Sequence, residues 1–307
     1  MKVKFKRSHL NPILTPHHMP MPAAAVLNPG VAEHGGDVVL LLRVEDLAGY
    51  SSIHVARSEN GVTDWKINPD PILGYGDPKW RYEMWGCEDA RATWLEEEGK
   101  WYITYTAYSP SGPAVALAST TDFVTVERVG LIFSPNNKDA TLFPCKFDGR
   151  YAVLHRPDAG GLEHIWSAYS PDLIHWGAPH CVLPEGGGAA WDALKVGAGP
   201  PPILTDQGWL LIYHGVKGYG GKLVYRVGVA LLDRDTPHKM IARSRDWVFQ
   251  AEVSYELAGL VSNVVFPTGV LLRGDELWMY YGAADTYVCL ATTKLADVLA
   301  VLDGADC

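Results

Sequence analysis

Ile53-His-Val-Ala-Arg-Ser58 decides the fold, because the same kind of segment returns along the chain. It is an alternating strand that ends in a small residue and a hydroxyl. The further copies are Val115-Ala-Leu-Ala-Ser119, Ile165-Trp-Ser-Ala-Tyr-Ser170 and Val288-Cys-Leu-Ala-Thr-Thr293, with a weaker one at Val227-Gly-Val-Ala-Leu-Leu232. Ala56, Ala118, Ala168, Ala230 and Ala291 mark a period of roughly 50 to 62 residues, the length of a four-stranded β unit with variable loops. Three copies run on into a similar tail: Glu59-Asn60-Gly61 before Trp65, Thr121-Asp122-Phe123, and Pro171-Asp172 before Trp176.

Working outward, each marker is preceded by an apolar run of strand length: Val38 to Leu42, Trp101 to Tyr105, Tyr151 to Leu154, Trp209 to Tyr213 and Leu277 to Tyr281. Turn residues introduce four of them, at Glu98-Gly99-Lys100, Asp148-Gly149-Arg150, Asp206-Gln207-Gly208 and Arg273-Gly274-Asp275. The best helical pattern is the short Thr293 to Leu302. Five markers imply an all-β, five-bladed β-propeller that takes residues 1–307 as one domain. The competing β-sandwich would space its strands at roughly 8–12 residues without a long repeat. In a propeller the first strand of each blade lines a central channel, and polar clusters just before the second strands are site candidates.

The net charge of -9 argues against nucleic-acid or membrane-surface partners, which need a basic face. It leaves room for an anionic small ligand in a local basic pocket. Cys87, Cys145, Cys181, Cys289 and Cys307 are odd in number and scattered, which reads as free thiols rather than a disulfide framework or zinc site. The basic start, Met1 to Leu10, has no apolar core of a signal peptide, and no stretch reaches 18 apolar residues; the reading is cytoplasmic.

Chemistry-bearing residues fall in the expected places. Arg43-Val44-Glu45-Asp46 ends one apolar run, with Asn28-Pro29 before it. Gly86-Cys87-Glu88-Asp89-Ala90-Arg91 sets two acids and an arginine among small residues, and one acid could serve as general acid while its neighbours hold a sugar. Asn136-Asn137-Lys138-Asp139, His155-Arg156, Trp191-Asp192-Ala193-Leu194-Lys195, Tyr213-His214-Gly215 and Tyr225-Arg226 follow, then Ala283-Ala284-Asp285. Arg156, Lys195 and His214 would make a phosphate, sulfate or carboxylate site if they converge, because arginine binds oxyanions with paired hydrogen bonds, lysine adds a point charge and histidine a donor. Each alone reads more readily as a solvated side chain. Nucleophile-elbow, zincin, Walker and dinucleotide motifs are absent from the sequence. Gly186-Gly187-Gly188 reads as a lid or linker and His17-His18 as a loop pair.

At these residues the chain resembles glycoside hydrolase family 130, the mannoside phosphorylases and related enzymes. The resemblance runs from Asn28 to Asp285 and is carried by R-V-E-D-L-A-G-Y-S from Arg43, G-C-E-D-A-R from Gly86, K-D-A-T-L-F-P from Lys138, W-D-A-L-K-V-G-A-G-P-P-P-I from Trp191 and Y-H-G-V from Tyr213. It is closer to the subgroup acting on mannooligosaccharides than to mannosylglucose phosphorylases. The resemblance implies that Asp89 is the general acid. It implies that Asn28, Arg43, Asp46 and Asp285 hold the mannosyl unit, with Glu88 beside them, and that Arg156, Lys195, His214 and Tyr225 bind phosphate. Two departures stand out: Ala90 replaces a usual proline, and Asn136-Asn137-Lys138 lacks a basic residue that some members carry.

The reaction implied is a β-mannoside plus inorganic phosphate giving α-mannose 1-phosphate and a shortened acceptor, reversibly. Phosphate is the co-substrate, and no metal or organic cofactor is implied. Inverting hydrolysis needs a base to activate water, whereas phosphate is already an anionic nucleophile. A β-mannosidase on the same fold and a non-catalytic sugar-binding propeller are the alternatives. The family's habit of assembling makes a homo-oligomer an expectation.

Overall fold

The computed structural model describes residues 5–158, 160–161 and 163–303; Cys307 lies outside the described residues. β1 (Lys6–Arg7) is followed by β2 (Ala25–His34), β3 (Asp37–Glu45), β4 (Ser51–Ser58) and β5 (Lys66–Ile67). Next come β6 (Gly86–Leu95), β7 (Lys100–Ser109), β8 (Gly112–Thr120) and β9 (Glu127–Phe133). β10 (Asn137–Phe147), β11 (Arg150–Pro157), β12 (Ile165–Ser170) and β13 (Gly177–Leu183) make a four-stranded sheet in chain order. β14 (Lys195–Ala198), β15 (Ile203–Thr205), β16 (Gly208–Tyr219), β17 (Lys222–Leu232), β18 (Met240–Arg243) and β19 (Phe249–Gln250) make a sheet in which β14 and β15 share partner β16, and β18 and β19 share β17. β20 (Val265–Arg273), β21 (Glu276–Ala283) and β22 (Tyr287–Lys294) form the last sheet, with β1 as its fourth strand. The fold is all-β.

β2 to β9 belong to one eight-stranded sheet, but it consists of two antiparallel runs, β2-β3-β4-β5 and β6-β7-β8-β9. A single parallel pairing of Ser51 with Gly86 joins them.

The apolar runs of the sequence become β3, β7, β11, β16 and β21, and their alternation explains why they are almost continuously apolar. A strand covered on both faces must send odd and even side chains into two different cores. Val38, Leu40 and Leu42 join one cluster, while Val39 and Leu41 join another. Trp209, Leu211 and Tyr213 part in the same way from Leu210 and Ile212. Four clusters among the described residues mix two units that follow one another in sequence, and the fifth mixes Tyr280, Val288 and Leu290 with Val38, Leu40, Leu42 and Val44.

The marker alanines sit in β4, β8, β12, β17 and β22, each at most 2% exposed. There a larger side chain would meet the neighbouring unit. The repeated tails fold alike as well. Asn60, Asp122 and Asp172 each accept two backbone N–H groups two and three residues on, at 2.7–2.9 Å. Trp65 and Trp176 each donate Nε1–H to the carbonyl three residues back at 3.1 Å.

The helical expectation at Thr293 to Leu302 shrinks to α2, Leu295–Leu299, preceded by α1, Ser254–Leu257. Thr293 stays in the β22 ladder opposite Leu277, so the strand takes the first turn of the pattern. Among the described residues no helix is long and apolar enough to cross a membrane. Cys87, Cys145, Cys181 and Cys289 are free.

Candidate active site

Three strands, each the first of its antiparallel run, have a ladder that slips at a polar residue. The slips fall between Leu27 and Gly30 in β2, Glu88 and Arg91 in β6, and Lys138 and Thr141 in β10. The residues in the slips are Asn28, Asp89 and Asp139, with φ of 45°, 51° and 53°. Asn and Asp enter this left-handed region more readily than other side chains, and a bulge re-aims the side chain it carries. Asp285, in the turn from β21 to β22, has φ of 48°. The four side chains meet at a cleft of about 500 Å³.

One wall is built on carboxylates. Asn28 donates from Nδ2 to Asp89 Oδ1 at 2.8 Å, and Arg43 Nη1 reaches the same oxygen at 3.3 Å. Arg43 also donates to Glu88 Oε1 at 3.1 Å and to Ser51 Oγ at 2.9 Å. Burial works against the Arg43 charge, but Glu88, Asp89 and Asp285 together raise its pKa above the ordinary value. Both hydrogen bonds to the Asp89 carboxyl fall on Oδ1. Oδ2 takes none among the described residues. Burial pushes Asp285 up to about 6, with Arg43 opposing and Asp89, Glu45 and Glu88 adding to the rise. Glu88 is raised by burial too, against Arg43.

The facing wall gathers Lys138, Arg156, Lys195, His214 and Tyr225, with Val264 and Phe266 beside them. Register explains the first two: Lys138 pairs with Arg156 across β10 and β11. Arg156 donates Nε–H to Asp139 Oδ2 at 2.8 Å. Burial alone would raise the Asp139 pKa, but Arg156, His214, Arg91 and Lys138 hold it well below the carboxylate range. Arg91, 1% exposed, ties units together by donating to the carbonyls of Asp89, Ala198 and Gly199 at 2.7, 3.2 and 2.9 Å. Lys195 Nζ lies 5.7 Å from the centre of the Tyr225 ring, and burial and Arg156 lower its pKa. The Glu163 carboxylate contacts Arg156 Nη1 and comes to 3.9 Å from Lys195 Nζ, so an internal anion already stands between these two cations.

The structure therefore brings Asn28, Arg43, Asp89, Asp285, Arg156, Lys195, His214 and Tyr225 to one cleft, with Glu88 attached through Arg43. Two expectations change. Asp46 does not line the cleft. Its Oδ1 accepts the N–H groups of Ala48 and Tyr50 at 2.8 and 3.0 Å, and its Oδ2 accepts the Tyr75 hydroxyl at 2.5 Å. His214 is not a cation. It is fully buried, its ring centre 4.4 Å from that of Phe266 with the planes inclined at 35°, and burial pushes its pKa to about 3. A neutral imidazole can still donate one hydrogen bond, and neither ring nitrogen has a hydrogen-bond partner among the described residues.

A family model described as beta-1,4-mannooligosaccharide phosphorylase matches residues 6–304. This chain belongs to glycoside hydrolase family 130. A beta-1,2-mannobiose phosphorylase from Listeria innocua is 32% identical, over 95% of this chain and 97% of its own. A beta-1,4-mannooligosaccharide phosphorylase from Ruminococcus albus is 33% identical, over 95% and 89%. The solved structure of Beta-1,2-Mannobiose phosphorylase from Listeria innocua in complex with beta-1,2-mannobiose superposes with a TM-score of 0.89 at 31% identity, over 98% of this chain and 99% of that one.

Within this family 130 chain a roomier hollow lies away from the charged cleft. A cavity of about 860 Å³ opens between residues 79–83 and Ala116, Gly130 and Leu131. Its carboxylate, Glu83, is already held by the Tyr105 hydroxyl at 2.6 Å and by Arg128 at 3.0 Å. Convergence of charges, not volume, marks the functional cleft. Asp139 and Arg91 stood in the quoted motifs without a role, because their partners come from other strands.

Proposed function

We propose that the cleft cleaves the terminal β-mannosidic bond of a mannooligosaccharide with inorganic phosphate, inverting the anomeric carbon to give α-mannose 1-phosphate. The observation that carries this reading is the single cleft with Asp89 on one wall and Arg156, Lys195 and Lys138 on the other. A hydrolase would need a second carboxylate to activate water; here the facing wall is cationic and its carboxylates, Asp139 and Glu163, are both paired with Arg156.

Phosphate enters where Glu163 now contacts Arg156 and approaches Lys195. Arg156 gives a fixed fork, since Asp139 holds its Nε edge, and Lys195 and Lys138 give point charges. His214 and Tyr225 add neutral donors. Asn28, Arg43, Glu88 and Asp285 hold the mannosyl unit by its hydroxyls. Asp89 Oδ2 supplies the proton that the departing oxygen needs, directly or through a sugar hydroxyl. The phosphate oxygen forms the new bond to the anomeric carbon as the glycosidic bond breaks, so charge is balanced without a base. Positioning phosphate on the far face of the sugar supplies much of the acceleration.

The fold belongs to the same proposal: one five-bladed β-propeller over residues 1–307. It is supported by the packing of the first strands, in which Gly30 meets the Ala90 carbonyl, Gly269 the Pro29 carbonyl and Gly199 the Pro267 carbonyl. It is also supported by apolar clusters that link each unit to the next and the last to the first. A reducing, cytoplasmic compartment suits the free cysteines.

The test is incubation with β-1,2-, β-1,3- and β-1,4-mannobiose, with and without phosphate, followed by assay for mannose 1-phosphate. Phosphate-dependent product from at least one linkage is expected. Free mannose without phosphate, or no product from any linkage, would overturn the reading.

A further inference from the structure

The edge of the molecule beside the cleft carries four half-exposed aromatic side chains, Tyr50, Tyr75, Trp85 and Tyr108, each 36–40% exposed. They stand in two pairs: Tyr50 and Tyr75 have ring centres 5.0 Å apart, and Trp85 and Tyr108 5.7 Å apart. Short contacts tie both pairs to the catalytic wall. The Tyr75 hydroxyl donates to Asp46, whose other oxygen accepts the Tyr50 N–H. Ser51, next to Tyr50, accepts from Arg43, which holds Asp89 and Glu88. Ser51 also pairs with Gly86, next to Trp85, and the Trp85 N–H donates to the Tyr108 carbonyl at 2.9 Å.

Scattered exposed apolar residues are ordinary, but two exposed aromatic pairs tied by short contacts to residues of a sugar cleft are not. Tyrosine and tryptophan offer a flat apolar face for a pyranose ring and a polar edge for its hydroxyls. Asp46 bonds to Tyr75 and Tyr50, and Glu45 and Glu88 pair with the nearby Arg43. Acidic side chains are depleted from the cores of protein interfaces, whereas sugar hydroxyls donate to them readily.

We propose that the Tyr50–Tyr75 and Trp85–Tyr108 pairs are the platform for the acceptor-side mannosyl units that lie beyond the unit adjoining the scissile bond. This rests on reading the cleft as a mannoside phosphorylase, and it makes the enzyme selective for chains longer than the disaccharide. Asp46 then acts at one remove from the bond that breaks, by fixing Tyr75 and the turn that carries Tyr50.

The experiment compares mannobiose with mannotetraose of the linkage the enzyme cleaves. It reads kcat/KM for mannose 1-phosphate release by the wild type, Tyr75→Ala, Trp85→Ala and Tyr75→Phe, each checked for its melting temperature. In the wild type the tetraose-to-biose ratio should exceed one. In the alanine variants that ratio should fall by about five- to tenfold, the scale of one lost aromatic contact, while Tyr75→Phe keeps most of it. A wild-type ratio near one, or a ratio unchanged in both alanine variants, would overturn the platform. An unchanged ratio with an altered oligomeric state by light scattering would overturn it in favour of a contact between copies of the chain. Absence of mannose 1-phosphate from either substrate with the wild type would instead remove the phosphorylase reading beneath it.

Discussion

Arg156 Nε and Asp139 Oδ2 lie 2.8 Å apart with both side chains almost fully buried, 5% and 1% exposed. Asp139 Oδ1 is 3.4 Å from Arg91 Nη2, so one carboxylate balances two buried guanidinium groups. Removing one partner of a buried pair leaves an uncompensated charge and costs about 3–5 kcal/mol. Asp139→Asn should therefore lower stability by about 3 kcal/mol in denaturant unfolding. It should also raise KM for phosphate about tenfold or more, by freeing Arg156, with a smaller effect on KM for the mannoside.

Asp89→Asn keeps the hydrogen bond from Asn28 within reach but removes the transferable proton. General acid catalysis contributes on the order of 10²–10⁴-fold. Steady-state phosphorolysis should show kcat reduced by about that factor, with KM for phosphate within about threefold of wild type. A variant that keeps wild-type kcat would remove Asp89 from its assigned role.

Asp285 makes a pH prediction whose sign follows from its burial. Its carboxyl is raised to about 6 in the folded protein, above the unfolded value of about 3.9. The folded state therefore binds more protons between those values, and stability falls as pH rises through that window. Above pH 6 the whole penalty, on the order of 2–3 kcal/mol, is present. Asp285→Asn should melt higher than wild type at pH 7.5 and match it near pH 4, as thermal unfolding at the two pH values would reveal. An advantage that persists at pH 4 would contradict this.

Gly282 has no room for a side chain, because an added Cβ would collide with Asn28 Oδ1. Gly282→Ala should push Asn28 away from Asp89 and raise KM for the mannoside about tenfold, leaving KM for phosphate nearly unchanged. Measuring the two constants separately checks that the damage stays on one wall.

The second and third strands were legible in the sequence because burial on both faces leaves a continuous apolar run, and close packing of neighbouring units leaves an alanine. The first strands were not. Asn28-Pro29-Gly30 and Asp89-Ala90-Arg91 break their ladders, so they read as loops with chemistry rather than as strands. The cations could be nominated one by one, but the neutrality of His214 comes from its complete burial, beside Phe266 from a different sheet, and nothing near position 214 announces it. Asp46 stands apart from the cleft for a local reason. β3 ends at Glu45, so the alternation that aims Arg43 inward has stopped one residue earlier, and the carboxylate turns back to cap its own loop.

Asn28, Asp89 and Asp139 are each held at φ near 50°, a conformation that costs of order 1 kcal/mol for a residue with a side chain and little for glycine. Glycine at Asn28 or Asp89 would relieve that strain but empty the mouth of the cleft, and at Asp139 it would also leave Arg156 and Arg91 without their carboxylate. Any effort to harden this protein by sequence averaging must therefore exempt them, for here the least comfortable residues are the ones that work.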